Sequence, residues 1–265
     1  MKSKDIISLQ FTPVLAIALF SLVIYANTLK NGFVYDDATT IVGNSFIKHL
    51  SDLPGLLSKG IYFSQSGEMT YRPVVTFTYF LDYALYGLNP WGFHLTNILL
   101  HVINGVLLYL LFILIIKPAE GGIKLSSNQP LLISLLFISH PVLTEGVNAI
   151  SFREDLLMFT FYVTAFILYI KSSVRLSSSK RISTIMVYVL SSFFYTLALF
   201  SKEMAVTFPL VIILYEWLYS KKGKSLVSAI FNLHNIGFII ITLVYLYIRF
   251  YFFIILLTGL ILFGK

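Results

Sequence analysis

The sequence contains no cysteine, which excludes disulfides, thiolate nucleophiles and cysteine-built zinc sites. Charge is scarce as well. Only 12% of the residues are Asp, Glu, Lys or Arg, against about a quarter in an ordinary soluble domain. There is no Gly-rich phosphate loop, HExxH zinc motif or serine nucleophile elbow, and no internal repeat or low-complexity tract. What is present is apolar: 57% of the chain is hydrophobic and the mean hydropathy is +0.85. That composition belongs to an integral membrane protein. The apolar runs are long and continuous rather than short and alternating, so helices, not barrel strands, satisfy the backbone in lipid. The net charge of +7 does not point to a nucleic-acid partner, because the basic residues are scattered among short linkers.

An all-α membrane fold of about seven spans is expected, at residues 12–29, 92–116, 130–146, 154–170, 185–200, 204–219 and 235–263. The first follows Lys2 and Lys4 and has no small-residue cleavage site, so it reads as a retained anchor. Eleven of the 19 basic residues fall at the N-terminus and in the linkers 117–128, 171–184 and 220–234. The positive-inside rule puts all four in the cytoplasm of a multi-pass cell-membrane protein. The stretch 185–219 must then be a hairpin turning outside at Ser201-Lys202-Glu203. Nine of the twelve acids fall on the external side, which suits a polar working face or simply longer external loops.

The external loop 30–91 is too long for a plain connector. Within it, Leu53–Phe63 and Val74–Tyr86 read as interfacial amphipathic helices, the second started by Arg72-Pro73. The loop opens on Asp36-Asp37, two adjacent carboxylates just outside the membrane.

Three further constellations stand out. His94, Asn97, His101 and Asn104 share one stripe of the second span, which must face protein or water. Interhelical hydrogen bonding and substrate contact are both open readings. The third span is broken by Ser139-His140-Pro141, and completing it draws His140 and Glu145 below the outer surface. Backbone of that kind is tolerated beside a cavity or inside protein, so a wet external cleft is expected. Arg153 (in Arg153-Glu154-Asp155) and Lys202 (in Lys202-Glu203) are two cations at similar external depth. They read either as interfacial ion pairs or as a phosphate grip.

Taken in order, several stretches resemble the GT-C class of polytopic glycosyltransferases, and most nearly the transmembrane and tetratricopeptide-repeat family related to protein O-mannosyltransferases. They are Asn31 to Asp37, Tyr71-Arg72-Pro73, Phe93 to Asn97 with His101 to Asn104, His140 to Glu145, Arg153 to Leu157, and Ser201-Lys202-Glu203. The resemblance covers about residues 12–249, an N-terminal membrane module, with 250–265 an apolar tail read as truncated or divergent. It implies an inverting transfer of a sugar from a polyprenyl-phosphate donor to an acceptor hydroxyl on a protein or glycan at the outer bilayer surface. Asp36 is then the general base, with Asp37 the weaker candidate. Arg153 and Lys202 are the phosphate-binding candidates. Arg72, His94, Asn97, His101, His140, Glu145, Asp155 and Glu203 line or support the cleft. A divalent metal at the acidic pair is chemically allowed but not required, and no other cofactor is implied.

Arg249 has no evident place inside a seventh span. Two alternatives therefore stand beside the enzyme: an inactive fragment or partner subunit of the same fold, and a transporter or lipid flippase. The latter is disfavoured because inverted-repeat halves are not seen.

Overall fold

A computed structural model describes residues 11–116 (apart from 67 and 69), 128–175, 181–219, 230 and 232–263. Lys2, Lys4, Lys117, Lys124, Lys180, Lys221, Lys222 and Lys224, on which the expected orientation largely rests, lie outside these residues. The described chain is helical, without a strand. In order it forms α1 (Phe11–Tyr25), α2 (Lys59–Ser66), α3 (Pro73–Tyr86), α4 (Pro90–Ile115), α5 (Gln129–Ile138), α6 (Thr144–Asn148), α7 (Arg153–Arg175), α8 (Arg181–Ser201), α9 (Phe208–Tyr219) and α10 (Leu233–Phe263).

Among the described residues, four helical stretches are long and apolar enough to cross a membrane: Phe11–Lys30, Pro90–Ile115, Ile150–Ser172 and Thr184–Ser201. A fifth is α5 with the segment Pro141–Asn148, bent by 50° at the break. The protein is thus an all-α, multi-pass membrane protein. Of the other two expected spans, α9 has 12 residues, about 18 Å of helix, and α10 has 31, with the apolar stretch Asn235–Tyr251 inside it. The chain does break at the expected turn: α8 ends at Ser201, Lys202 is extended, and a short 3-10 turn over Glu203–Thr207 leads into α9. α10 continues as one helix through residue 249 to Phe263.

Sequence chemistry sets the helix ends. Asn89 caps α4 by accepting from the Trp91 N–H at 3.2 Å, with Pro90 in the first turn. α3 begins on Pro73 and stops at Gly87, whose φ of +59° suits a residue without a Cβ. After α5, Pro141 can neither donate a helical N–H nor let His140 stay helical, so the span bends. His140 Nδ1 accepts from the Val142 N–H at 3.2 Å and caps the new turn.

α4 is the central helix. It packs against α1, α5 and α7, and α7 packs along α8. The polar stripe of α4 is fully buried and ties these helices together. Asn97 donates to the carbonyls of Val147 and Ala149, His101 Nε2 lies 3.2 Å from the Ile138 carbonyl, and Asn104 donates to Leu156. His94 Nε2 lies 3.4 Å from the Gly32 carbonyl. Of the two open readings, interhelical hydrogen bonding is the one the geometry takes up.

Gly105 lets α1 and α5 approach this helix. A Cβ there would meet Ile138 Cδ1 at 2.5 Å and Ile17 Cγ2 at 3.0 Å, and both isoleucines are fully buried. Gly105→Leu should therefore cost about 1–3 kcal/mol of stability, read as a lowered unfolding midpoint in detergent, with Gly105→Ala intermediate.

The loop between α1 and α4 has a core of its own. Ile41, Phe46, Leu56, Tyr62, Tyr79 and Phe80 pack with Phe93 of α4 and Ile150 and Leu157 at the head of α7. α3 matches the expected Val74–Tyr86 helix, but Leu53–Phe63 is two pieces, a 3-10 turn (Leu50–Leu57) and α2, separated at an extended Ser58. The loop is a packed cap on the heads of α4 and α7, and it carries the site.

Candidate active site

The two adjacent acids have separate fates. Asp37 is fully buried. Its Oδ2 accepts from the Val34 N–H at 2.9 Å and its Oδ1 from the Ser151 N–H at 2.7 Å. It pins the loop to the start of α7 with both oxygens committed to backbone. Asp36 is exposed, and its carboxylate has no hydrogen-bond partner among the described residues. Its backbone carbonyl accepts instead from the Thr39 and Thr40 hydroxyls at 3.0 and 2.8 Å, at the head of a π turn over Ala38–Val42. Tyr35 just before it has φ +49°, a left-handed conformation that costs a non-glycine residue about 1–2 kcal/mol. Strain of this kind recurs where a side chain is aimed for function.

Asp36 lines a cavity of about 510 Å³. The loop supplies Asp36, Thr39, Thr40, Glu68, Thr70 and Arg72; α3 supplies Val75 and Tyr79; the head of α7 supplies Ser151, Phe152 and Glu154. Glu68 Oε2 accepts from Tyr62 Oη at 2.9 Å, and the same phenol lies 2.9 Å from Thr76 Oγ1. Burial is the main cause lifting the Glu68 carboxyl to about 7. The Tyr62 hydrogen bond and the Arg72 charge pull it down, and Glu154 pushes it up. Two buried polar atoms of cavity residues, Arg72 Nε and Ser151 Oγ, have no hydrogen-bond partner among the described residues.

Arg72 is the guanidinium of the cavity wall. It pairs with Glu154 through Nη1 and with Glu203 through Nη2 at 3.4 Å. Lys202 bridges Glu154 at 3.1 Å and Asp155 at 2.7 Å. Burial alone would lower its ammonium, but the hydrogen bonds to Asp155 and Glu154 outweigh that and raise it. Arg249 closes the chain of charges, with Nη2 at 3.4 Å from Glu203 and Nη1 donating to Tyr245 Oη at 2.9 Å. The cation with no evident place in the sequence is thereby matched by an acid at the turn between α8 and α9.

Arg153 stands elsewhere. Its side chain is 0% exposed and is not part of the cavity wall. Nη2 contacts Asp82 at 2.6 Å and donates to the Phe93 carbonyl, Nε donates to Asn97 at 2.7 Å, and Nη1 donates to Thr78 at 3.1 Å. The Tyr79 ring covers the guanidinium at 4.9 Å. With its donors committed, Arg153 anchors α7 to α3 and α4; the sequence expectation that it grips phosphate is corrected to a buried anchor. His140 and Glu145 are exposed and are not among the residues of this cavity. His94, Asn97 and His101 are buried and lie outside its wall.

Asp82, Glu68 and the threonines were not singled out in the sequence. Asp82 carried a usable signal, since a lone acid in the apolar run of α3 needs a cation once buried. Glu68 carried none, because its environment is made by Tyr62 and Arg72 only after the loop folds. Among the described residues, no group of three or more His, Asp or Glu side chains is arranged to hold a metal ion.

No protein-family profile and no solved structure matches the chain. Curated proteins do. The chain is 30% identical to Protein O-mannosyl-transferase tmtc2 of Xenopus laevis over 229 residues, 82% of this chain and 26% of that protein. It is 30% identical to human Protein O-mannosyl-transferase TMTC4 over 203 residues, 73% of this chain and 27% of that protein. It is 34% identical to Protein O-mannosyl-transferase F38B6.6 of Caenorhabditis elegans over 156 residues, 57% of this chain and 22% of that protein. The chain therefore matches about a quarter of the length of these relatives. Across that stretch the chain belongs to the family of transmembrane protein O-mannosyl-transferases.

Proposed function

We propose that this chain carries the transfer site of a membrane glycosyltransferase that moves a sugar from a polyprenyl-phosphate donor to a hydroxyl of a protein acceptor on the external face. The observation that carries this reading is one cavity holding the unpartnered carboxylate of Asp36 and the guanidinium of Arg72. The relatives' names support mannose as the sugar and protein as the acceptor.

The chemistry follows from those two groups. The acceptor hydroxyl attacks the anomeric carbon while Asp36 takes its proton. The bond from that carbon to the phosphate oxygen breaks, and the lipid phosphate leaves with the electron pair. Charge gathering on the leaving phosphate is met by Arg72: its planar fork, which holds the Glu154 and Glu203 carboxylates in this structure, exchanges them for two phosphate oxygens. A single displacement of this kind inverts the anomeric centre. Lys202 acts one step back: it holds Glu154 and Asp155, so Glu154 keeps a cation when Arg72 turns to the phosphate. The polyprenyl tail stays in the bilayer beside the cap.

The test uses detergent-solubilised protein and labelled polyprenyl-phosphate mannose. Arg72→Lys keeps a charge and loses the fork, and should weaken donor binding about ten- to hundredfold. Undiminished binding by Arg72→Lys and by Arg72→Ala would remove Arg72 from the donor site.

A further inference from the structure

We propose that Glu68 is the sugar-recognition residue of this cavity, its carboxylate accepting hydrogen bonds from hydroxyls of a neutral hexose on the donor. The inference rests on the functional reading above and deepens it. A neutral sugar presents several hydroxyl donors, and each needs an acceptor when it leaves water. The cavity holds three carboxylates: Asp36, Glu68 and Glu154. Asp36 is assigned to the acceptor's proton. Glu154 is held by Arg72 and Lys202. Glu68 remains, with one oxygen oriented by Tyr62 and Oε1 carrying no hydrogen bond among the described residues. Thr39, Thr40, Thr70 and Ser151 complete a hydroxyl-rich wall.

The charged and titratable groups coupled to Glu68 are Tyr62 of α2, Arg72 at the head of α3, Tyr79 of α3 and Glu154 of α7. Glu68 changes protonation at about 7, so the acceptor form is lost as the pH falls through neutrality. A donor that binds the ionised form should bind about tenfold more tightly at pH 8 than at pH 6.

The experiment is equilibrium binding to the detergent-solubilised full chain. The probes are polyprenyl-phosphate mannose and the bare polyprenyl phosphate, at about pH 6 and pH 8. Glu68→Gln keeps the shape and an acceptor for Tyr62. It should weaken the sugar-bearing probe about tenfold at pH 8, abolish its pH dependence and leave the bare lipid phosphate unchanged. Arg72→Ala should weaken both probes. Folding is read separately. A carboxyl raised in the folded state stabilises the fold most below its unfolded value, and that contribution is lost as pH rises towards about 7. Glu68→Gln should therefore unfold at the same temperature as the unaltered chain or higher at pH 8. Equal affinity of Glu68→Gln for the sugar-bearing probe, or equal loss for both probes, overturns the assignment. If the unaltered chain binds neither lipid, the donor reading falls and the sugar assignment with it.

Discussion

Asp36→Asn should lower sugar transfer by about a hundredfold or more while leaving membrane insertion and the unfolding midpoint unchanged. The residue is exposed and its carboxylate supports no neighbour within the described structure, so the amide removes a proton acceptor and little else. Donor binding should persist, because the proposed phosphate contact is Arg72. Asp37→Asn should behave differently. Both Asp37 oxygens accept backbone N–H groups, and an amide must turn its own NH₂ towards one of them. That variant should lose stability and transfer together. Transfer assays on membranes, paired with melting curves, separate the two. Transfer by Asp36→Asn at the unaltered rate would remove the base from the mechanism, and a stable Asp37→Asn would remove the pin.

The second large effect is in stability. Asp82→Ala should destabilise the protein by about 3–5 kcal/mol, because it leaves the Arg153 guanidinium buried without its counter-charge. Burial favours the neutral form of Asp82 and Arg153 opposes that, with Thr96 donating a further hydrogen bond at 2.7 Å. The pair is thus costly to break from either side. Replacing both members with apolar residues, Asp82→Leu with Arg153→Met, should recover part of the loss. The recovery is incomplete because Asn97 and the Phe93 carbonyl each lose a donor. Unfolding of the single and double variants in detergent measures the coupling. Additive losses would mean that Arg153 is not anchored through Asp82.

Much of the architecture was readable because it follows from local rules. Long apolar runs set α1, α4, α7 and α8, prolines set the starts of α3 and α4, and Pro141 set the bend after α5. The membership of the loop cavity was partly readable: Asp36 and Arg72 stood out as charges in an otherwise apolar chain. The division of labour within it was not. Arg153 and Lys202 looked equivalent as lone cations at similar depth, and only packing shows one enclosed by Asp82, Thr78, Asn97 and Phe93 and the other bridging Glu154 and Asp155. Glu203 and Arg249 are 46 residues apart in the numbering and meet because α10 passes the turn between α8 and α9. Adjacency in sequence likewise concealed that Asp36 and Asp37 point to different tasks.

The head of α7 joins these tasks within five consecutive residues. Ser151 receives Asp37, Arg153 reaches Asp82, Glu154 meets Arg72, and Asp155 holds Lys202. The contacts reach the loop, both ends of α3 and the turn after α8, so this stretch works as a keyed spindle whose teeth must all engage at once. One inserted or deleted residue there would rotate the helix by roughly 100° and disengage several teeth together. Descendants of this chain should accordingly vary the identity of residues around the spindle far more freely than they vary its length.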